Sequence, residues 1–371
     1  MLSIWSSLAE LPDPRSGNAL RHKLLDVLTI ALTASICGAE SCVDFADFAR
    51  DREALFREFL ELPGGVPSHD TFSRLFRLLD PAAFATCFAS FLDNLGQDGT
   101  GVVAIDGKTM RRSFDRAAGK SALHVVTAFA ADARMTIGQV AAGDKESEIT
   151  AARSLLGLID LTGALVTGDA LHCQGETARL IKDRGGDWLF TLKANRPLQH
   201  SEVRAWFADP TSLPDGEHTT TDADNGRIEV RRHAVTHDVS WMLSDRRHPD
   251  EAPMPGLATI GMVESTVTRD GKTSTERRFY LSSASLDAMA FAAAVRAHWR
   301  IENCLHWVLD VGFDEDRARN RKDHGLENLT ILQKLALNVL RSARPDISIR
   351  RKRKRSGWSD EFARSVIGQM R

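Results

Sequence analysis

Three strand-like runs follow one another with only turn residues between them: GVVAIDG (101–107), LHVVTAFAAD (123–132) and MTIGQVAAG (135–143). After them the texture alternates. ITAARSLLGLIDL and GETARLIKDRG carry helical spacing, and GALVTGDA and DWLFTLKA read as further strands. Strands joined by short turns pair antiparallel, whereas strands separated by a helix return parallel. The expected architecture is therefore α/β, a mixed sheet of five strands with helices packed on it.

The flanks have different textures. Residues 1–95 look helical throughout, and PSHDTFSRLFRLLD (67–80) places Phe72, Leu75, Phe76 and Leu79 on one stripe behind a Ser68 cap, with Arg74 and Arg77 off it. A cap followed by a basic-faced helix suits the second half of a helix-turn-helix, although an ordinary packed helix explains the pattern more simply. Residues 199–284 turn to β texture without helices, and Asp270-Gly271 marks a hairpin between two runs. From 285 to 345 the chain is helical again, with Ser285 as the expected cap, and 346–371 holds the basic run RRKRKR (350–355). Phosphate attraction is the natural productive use of such a run.

The formal charge of −2 gives no global pull toward nucleic acid or membrane, so any polyanion binding must be local. The five cysteines are scattered, with no CxxC pair, which points to a reducing compartment. The apolar stretch 24–39 is too short to span a bilayer, and a cytoplasmic, membrane-free protein is expected.

Asp106 and Asp169 each close an apolar strand-like run, where ligands of mixed and parallel sheets meet side chains. The helical stretch RAHWRIENCLHWVLD (296–310) supplies a third acid. Together with the residues just before it, its apolar positions Phe291, Val295, Leu305 and Leu309 share a 4, 3, 4, 3, 4 spacing with His298 and Glu302, which reads Glu302 as core-facing. A buried carboxylate needs a cation, a donor or a metal. Three carboxylates without thiolates select a hard cation, magnesium or manganese. Two such ions about 4 Å apart can promote in-line phosphoryl displacement. Zinc on His298, Glu302 and His306 is the weaker reading, because HExxH is absent and both aspartates would be left without a role. His306 and Asp310 read as structural, and Trp299 and Trp307 as packed.

The stretches VVAIDGKTMRRSFD, LHVVTAFA, DKESEITAARSLLGLIDLTGALVTGDALHCQ, GGDWLFTLKANR, RRFYLSS and RAHWRIENCLHWVLDVGFDED closely resemble the H-repeat-associated insertion-sequence transposases, a DDE family. DPRSGNALRHKLLDVL and GVPSHDTFSRLF extend the resemblance toward the N-terminus. It implies an RNase H-like core interrupted by a β-rich insertion: an N-terminal DNA-binding region (1–95), core (96–198), insertion (199–284), glutamate helix and its successor (285–345), and basic segment (346–371). It assigns Asp106, Asp169 and Glu302 as the catalytic, metal-holding acids. It implies a bacterial, Mg2+-dependent transposase, with Mn2+ as substitute, acting on double-stranded DNA at terminal inverted repeats and target as a homodimer or higher oligomer. A catalytically silent DNA-binding descendant and a structure-directed nuclease are the alternatives. Lys108, His172, Lys193, Arg296, His298 and Arg300 are candidate DNA contacts, with Asn195 and Arg196 at the same expected edge. In the related hairpin-forming branch, Arg and Lys stand where this chain has His298 and Leu309, which puts hairpin formation in doubt.

Overall fold

The computed structural model describes residues 4–94, 101–114, 119, 121–143, 147–224, 226–243, 251, 253–318 and 320–368. The expected boundary at 95–96 lies outside the described residues. Among the described residues nine strands are formed: β1 (Gly101–Thr109), β2 (His124–Ala130), β3 (Met135–Ala142), β4 (Ala164–Gly168), β5 (Asp187–Leu192), β6 (Gly216–Asp224), β7 (Arg227–Thr236), β8 (Thr259–Arg269) and β9 (Lys272–Ser282). They make one sheet in the order β3-β2-β1-β4-β5-β9-β8-β7-β6. β1, β2 and β3 pair antiparallel, while β1–β4 and β4–β5 pair parallel. This mixed five-strand part has the α/β arrangement expected of an RNase H-like core. The insertion does not form a sheet apart from it: β9 pairs antiparallel with β5, so the sheet continues through β8, β7 and β6. Asp270 and Gly271 join β8 to β9 in a two-residue turn with φ of 50° and 72°, the left-handed pair that a type I′ hairpin demands.

The helices are α1 (Ile4–Ala9), α2 (Leu24–Ile36), α3 (Cys42–Asp51), α4 (Glu53–Phe56), α5 (His69–Leu78), α6 (Pro81–Asn94), α7 (Glu148–Leu158), α8 (Gly175–Asp183), α9 (Pro197–Ala208), α10 (Ala288–His298), α11 (Trp307–Phe313), α12 (Gly325–Ser342), α13 (Ile349–Trp358) and α14 (Asp360–Gly368). Asp287, not Ser285, caps α10 by accepting from the Ala290 amide at 2.7 Å. On α5, Ser68 caps as expected and the stripe Phe72, Leu75, Phe76 and Leu79 is fully buried.

The organising element is α12, nearly all of whose side chains are buried between the N-terminal helices and the sheet. Its polar residues are each matched to a backbone or side-chain partner. Asn328 Nδ2 donates to the Phe76 and Leu79 carbonyls at the end of α5, and Asn338 exchanges two bonds with the Thr136 backbone on β3. Lys334 Nζ donates to Thr127 Oγ1 at 2.9 Å and Gln139 Oε1 at 2.7 Å. Burial lowers its pKa to about 8.

The basic run is divided between solvent and interior. It forms most of α13, and two of its members turn inward. Lys352 Nζ donates to the Leu340 and Ala343 carbonyls at the end of α12. Arg353 donates to the Ser35 carbonyl at the end of α2 and lies 4.0 Å above the Phe313 ring. Cations thus satisfy carbonyls that two helix C-termini leave open.

Candidate active site

Asp106 sits near the end of β1, and Lys108 shares its strand face, as alternation requires. Gly107 points to the other face, where a Cβ would lie 2.5 Å from the Glu148 carboxylate and 2.6 Å from His124 Nε2. Glycine lets that pair pack directly beneath the acid. Asp169 follows β4 and caps a short 3-10 turn, accepting from the Leu171 amide at 2.9 Å. Between α10 and α11 the chain makes a π-helical turn, Ile301–His306, which carries Glu302. Asp106, Asp169 and Glu302 line one cavity of about 280 Å3, together with Thr167, Lys193, Arg278, Tyr280, His298 and Trp299.

The π turn corrects the expected orientation of this helix. Buried positions run Ala297, Ile301, Leu305, Leu309 and Phe313, steps of four that an ordinary helix would rotate away from the core. Glu302 is consequently exposed to the cleft and not core-facing. His306, read from sequence as structural, is buried and places Nε2 3.1 Å from Asp106 Oδ2. Burial acts to raise the Asp106 pKa, but the hydrogen bond and charge of His306 bring it below the ordinary carboxylate range. Partial burial raises the Glu302 pKa, His306 pulls against that rise, and the charge of the nearby Asp106 carboxylate adds to it.

The remaining candidates are distributed unequally. His298 faces the cleft, with Nδ1 3.0 Å from Thr167 Oγ1, and burial lowers its pKa, favouring the neutral ring. Lys193 is exposed on the cleft rim. Lys108 is no open cation: it pairs with Asp310 and with Glu315 at 3.0 Å. His172 is 0% exposed and points away to Glu148, 3.4 Å distant, so it offers DNA nothing. Arg196 is buried against Gln199, and Asn195 donates to the Ala170 carbonyl. Arg296 reaches Asp222 of β6 at 2.5 Å, and Arg300 holds Asp132 at 2.8 Å. Trp299 and Trp307, expected to pack, are 43% and 62% exposed. Leu309, where the hairpin-forming branch carries lysine, is fully buried. Arg278 and Tyr280 of β9 also enter the cleft, the Arg278 guanidinium lying 5.5 Å from the Trp299 ring centroid. Only long-range pairing of β9 with β5 brings them there, and no local signal announces it.

The family model described as Transposase DDE domain matches residues 97–339, and a model for the region associated with that domain matches residues 5–92. The chain belongs to the DDE transposase family. This transposase is 33% identical over 373 residues to the H repeat-associated putative transposase YhhI of Escherichia coli (strain K12), covering 98% of this chain and 97% of that one. It is 35% identical to the putative transposase YncI of Escherichia coli O157:H7, covering 98% and 94%. A solved piggyBac transposase synaptic complex with hairpin DNA is similar at a TM-score of 0.42 and 13% identity, covering 99% of this chain and 78% of that chain. DDE transposases use divalent metal. Among the described residues, no group of three or more His, Cys, Asp or Glu is arranged to hold a metal ion, and no helix is long and apolar enough to cross a membrane.

Proposed function

We propose that this transposase cleaves DNA at the ends of its insertion sequence and joins the freed 3′-hydroxyl to target DNA, with Asp106, Asp169 and Glu302 as the metal-holding acids. The observation that carries this reading is that Asp106, Asp169 and Glu302 line one cavity. Carboxylates gathered in one cleft are stabilised by a shared proton or a cation. Asp169 on the same cavity supplies a third hard oxygen donor, a set that fits Mg2+, with Mn2+ as substitute. A bound ion pair would supply activation of the attacking water or hydroxyl and stabilisation of the leaving oxygen.

The protein's own contribution is positional. His306 orients Asp106 and keeps it ionised; Thr167 fixes the His298 ring beside the cleft. Lys193 at the rim suits a scissile-strand phosphate, while Arg278 beside it is held by Glu276 at 3.0 Å. The acids form no covalent intermediate, since phosphoryl displacement needs only charge and alignment. Bringing two element ends together requires a dimer or larger assembly on DNA, acting in the bacterial cytoplasm.

The test is end cleavage and strand transfer on the element's terminal sequences with Mg2+, comparing wild type with Asp106→Asn, Asp169→Asn and Glu302→Gln. Loss in all three supports the reading. Undiminished cutting by the variants removes the site assignment, and a wild type that binds ends without cutting points to a silent DNA-binding descendant.

A further inference from the structure

Once Lys352 and Arg353 are accounted for as caps, the rest of the basic run is left over. Arg350, Arg351, Lys354 and Arg355 are all exposed, in a helix with no acid in its first turn. Arg355 stacks on Phe362, while Arg350, Arg351 and Lys354 form no ion pair among the described residues. Arg350, Lys354 and Trp358 follow one another at i, i+4 and i+8, on one face of α13. Trp358 is 75% exposed.

The neighbour of this face is the helix that leaves the active site. Arg350, Lys354 and Trp358 line a shallow cavity of about 460 Å3 with Val311 and Gly312 of α11. One acid borders it, Glu40, whose carboxylate is 3.7 Å from buried Arg353. Along α11, Val311 is 58% exposed and Trp307 lies one turn before it. Asn303 and Glu302 are exposed one turn earlier still. An open ridge therefore runs from the cleft acid through Trp307 and Val311 to the cations of α13. From Glu302 to Val311 it measures about 14 Å at helical rise, roughly four base pairs of duplex at 3.4 Å each.

We propose that the outer face of α13, with Trp358 and the Trp307–Val311 ridge, binds the sugar-phosphate backbone of the duplex whose end is processed at Asp106, Asp169 and Glu302. The proposal rests on the functional reading above and adds where the flanking duplex lies. With a net charge of −2, this chain attracts a polyanion only where cations are free of acidic partners, and α13 offers such a row. Continuity with the acid cleft favours DNA over an anionic membrane, which would require no alignment with the active site.

The test uses the full chain in EDTA and a labelled duplex of arbitrary sequence, titrated over a salt series. For Arg350→Ala/Arg351→Ala/Lys354→Ala, the slope of log K against log salt should flatten by about 2–3, at about 0.9 for each phosphate no longer neutralised, and for Lys354→Gln by about 0.9. Trp358→Ala should weaken binding with the slope unchanged. Both charge variants should melt with wild type, because the substituted groups touch nothing in the core. A wild-type slope in Lys354→Gln and the triple variant overturns the proposal and leaves the functional reading intact. So does loss of binding to phosphatidylserine vesicles with DNA binding unaltered. A wild type that binds duplex without salt dependence, or not at all, overturns the functional reading itself.

Discussion

The imidazole of His306 lies 3.1 Å from the carboxylate of Asp106, joining the glutamate helix to the first strand across 200 residues of sequence. Without this interaction, burial alone would push Asp106 upward. His306→Ala should therefore raise the pKa of Asp106, move the acidic limb of the Mg2+-dependent cleavage profile to higher pH, and lower activity by about 10–100-fold, as loss of a partner that orients a metal ligand does. A pH–rate profile checks this, and an unmoved acidic limb would show that His306 only packs.

Glu302 behaves oppositely, because its folded pKa is raised. The stability it contributes is present below its unfolded pKa and is lost as pH rises through the folded value, until a cation offsets the charge. The gain in melting temperature on adding Mg2+ should be largest near neutrality and shrink as pH falls toward the raised Glu302 pKa. In Glu302→Gln the metal-free protein should melt no lower than wild type, while the Mg2+ gain is much reduced. Calorimetry with and without EDTA measures both.

Lys334 gives a separate pH signature. Its folded pKa of about 8 lies below the unfolded value of about 10.4, so the unfolded chain binds more protons between these limits. Stability should rise from pH 8 to 10 in wild type more than in Lys334→Met, as measured by denaturant unfolding at each pH. Parallel curves for the two proteins would remove the assignment.

Gly107→Ala should destabilise by about 1–3 kcal/mol, since the new methyl would stand against Glu148 and His124, neither a free surface side chain. Because the strain falls beside Asp106, cleavage should drop even where the variant is still folded. Thermal melting and single-turnover cleavage report the two effects separately.

Arg353→Ala should cost about 2–4 kcal/mol through removal of its bonds to the Ser35 carbonyl and of its packing on Phe313. Lys354→Gln on the same helix should leave stability within about 0.5 kcal/mol. Urea denaturation of both tests whether the basic run is divided by face.

The core strands were legible because their information is local: period-two apolar runs, turn residues between them and helices closed by glycine. Asp106 and Asp169 were legible for the same reason, each ending such a run. Glu302 was found but its orientation was misread, since a π turn leaves no mark in composition and shifts every later residue around the helix axis. That one displacement turned Glu302 out, turned His306 in and left Trp307 exposed. The pairing of β9 with β5, which carries Arg278 into the cleft, depends on a partner far away in sequence. The run at 350–355 was read by charge alone, although its long side chains reach carbonyls that only the folded helix ends present.

The single sheet also has a consequence for how the protein comes into being. Asp106 and Asp169 are synthesised before the four strands of the insertion, and Glu302 and His306 after them. A chain released early from the ribosome has the N-terminal helices and two acids, but neither the third acid nor α12 to join helices to sheet. Such long-range closure is slow to form. On the proposed assignment, no partial chain that stops within the insertion carries all three acids.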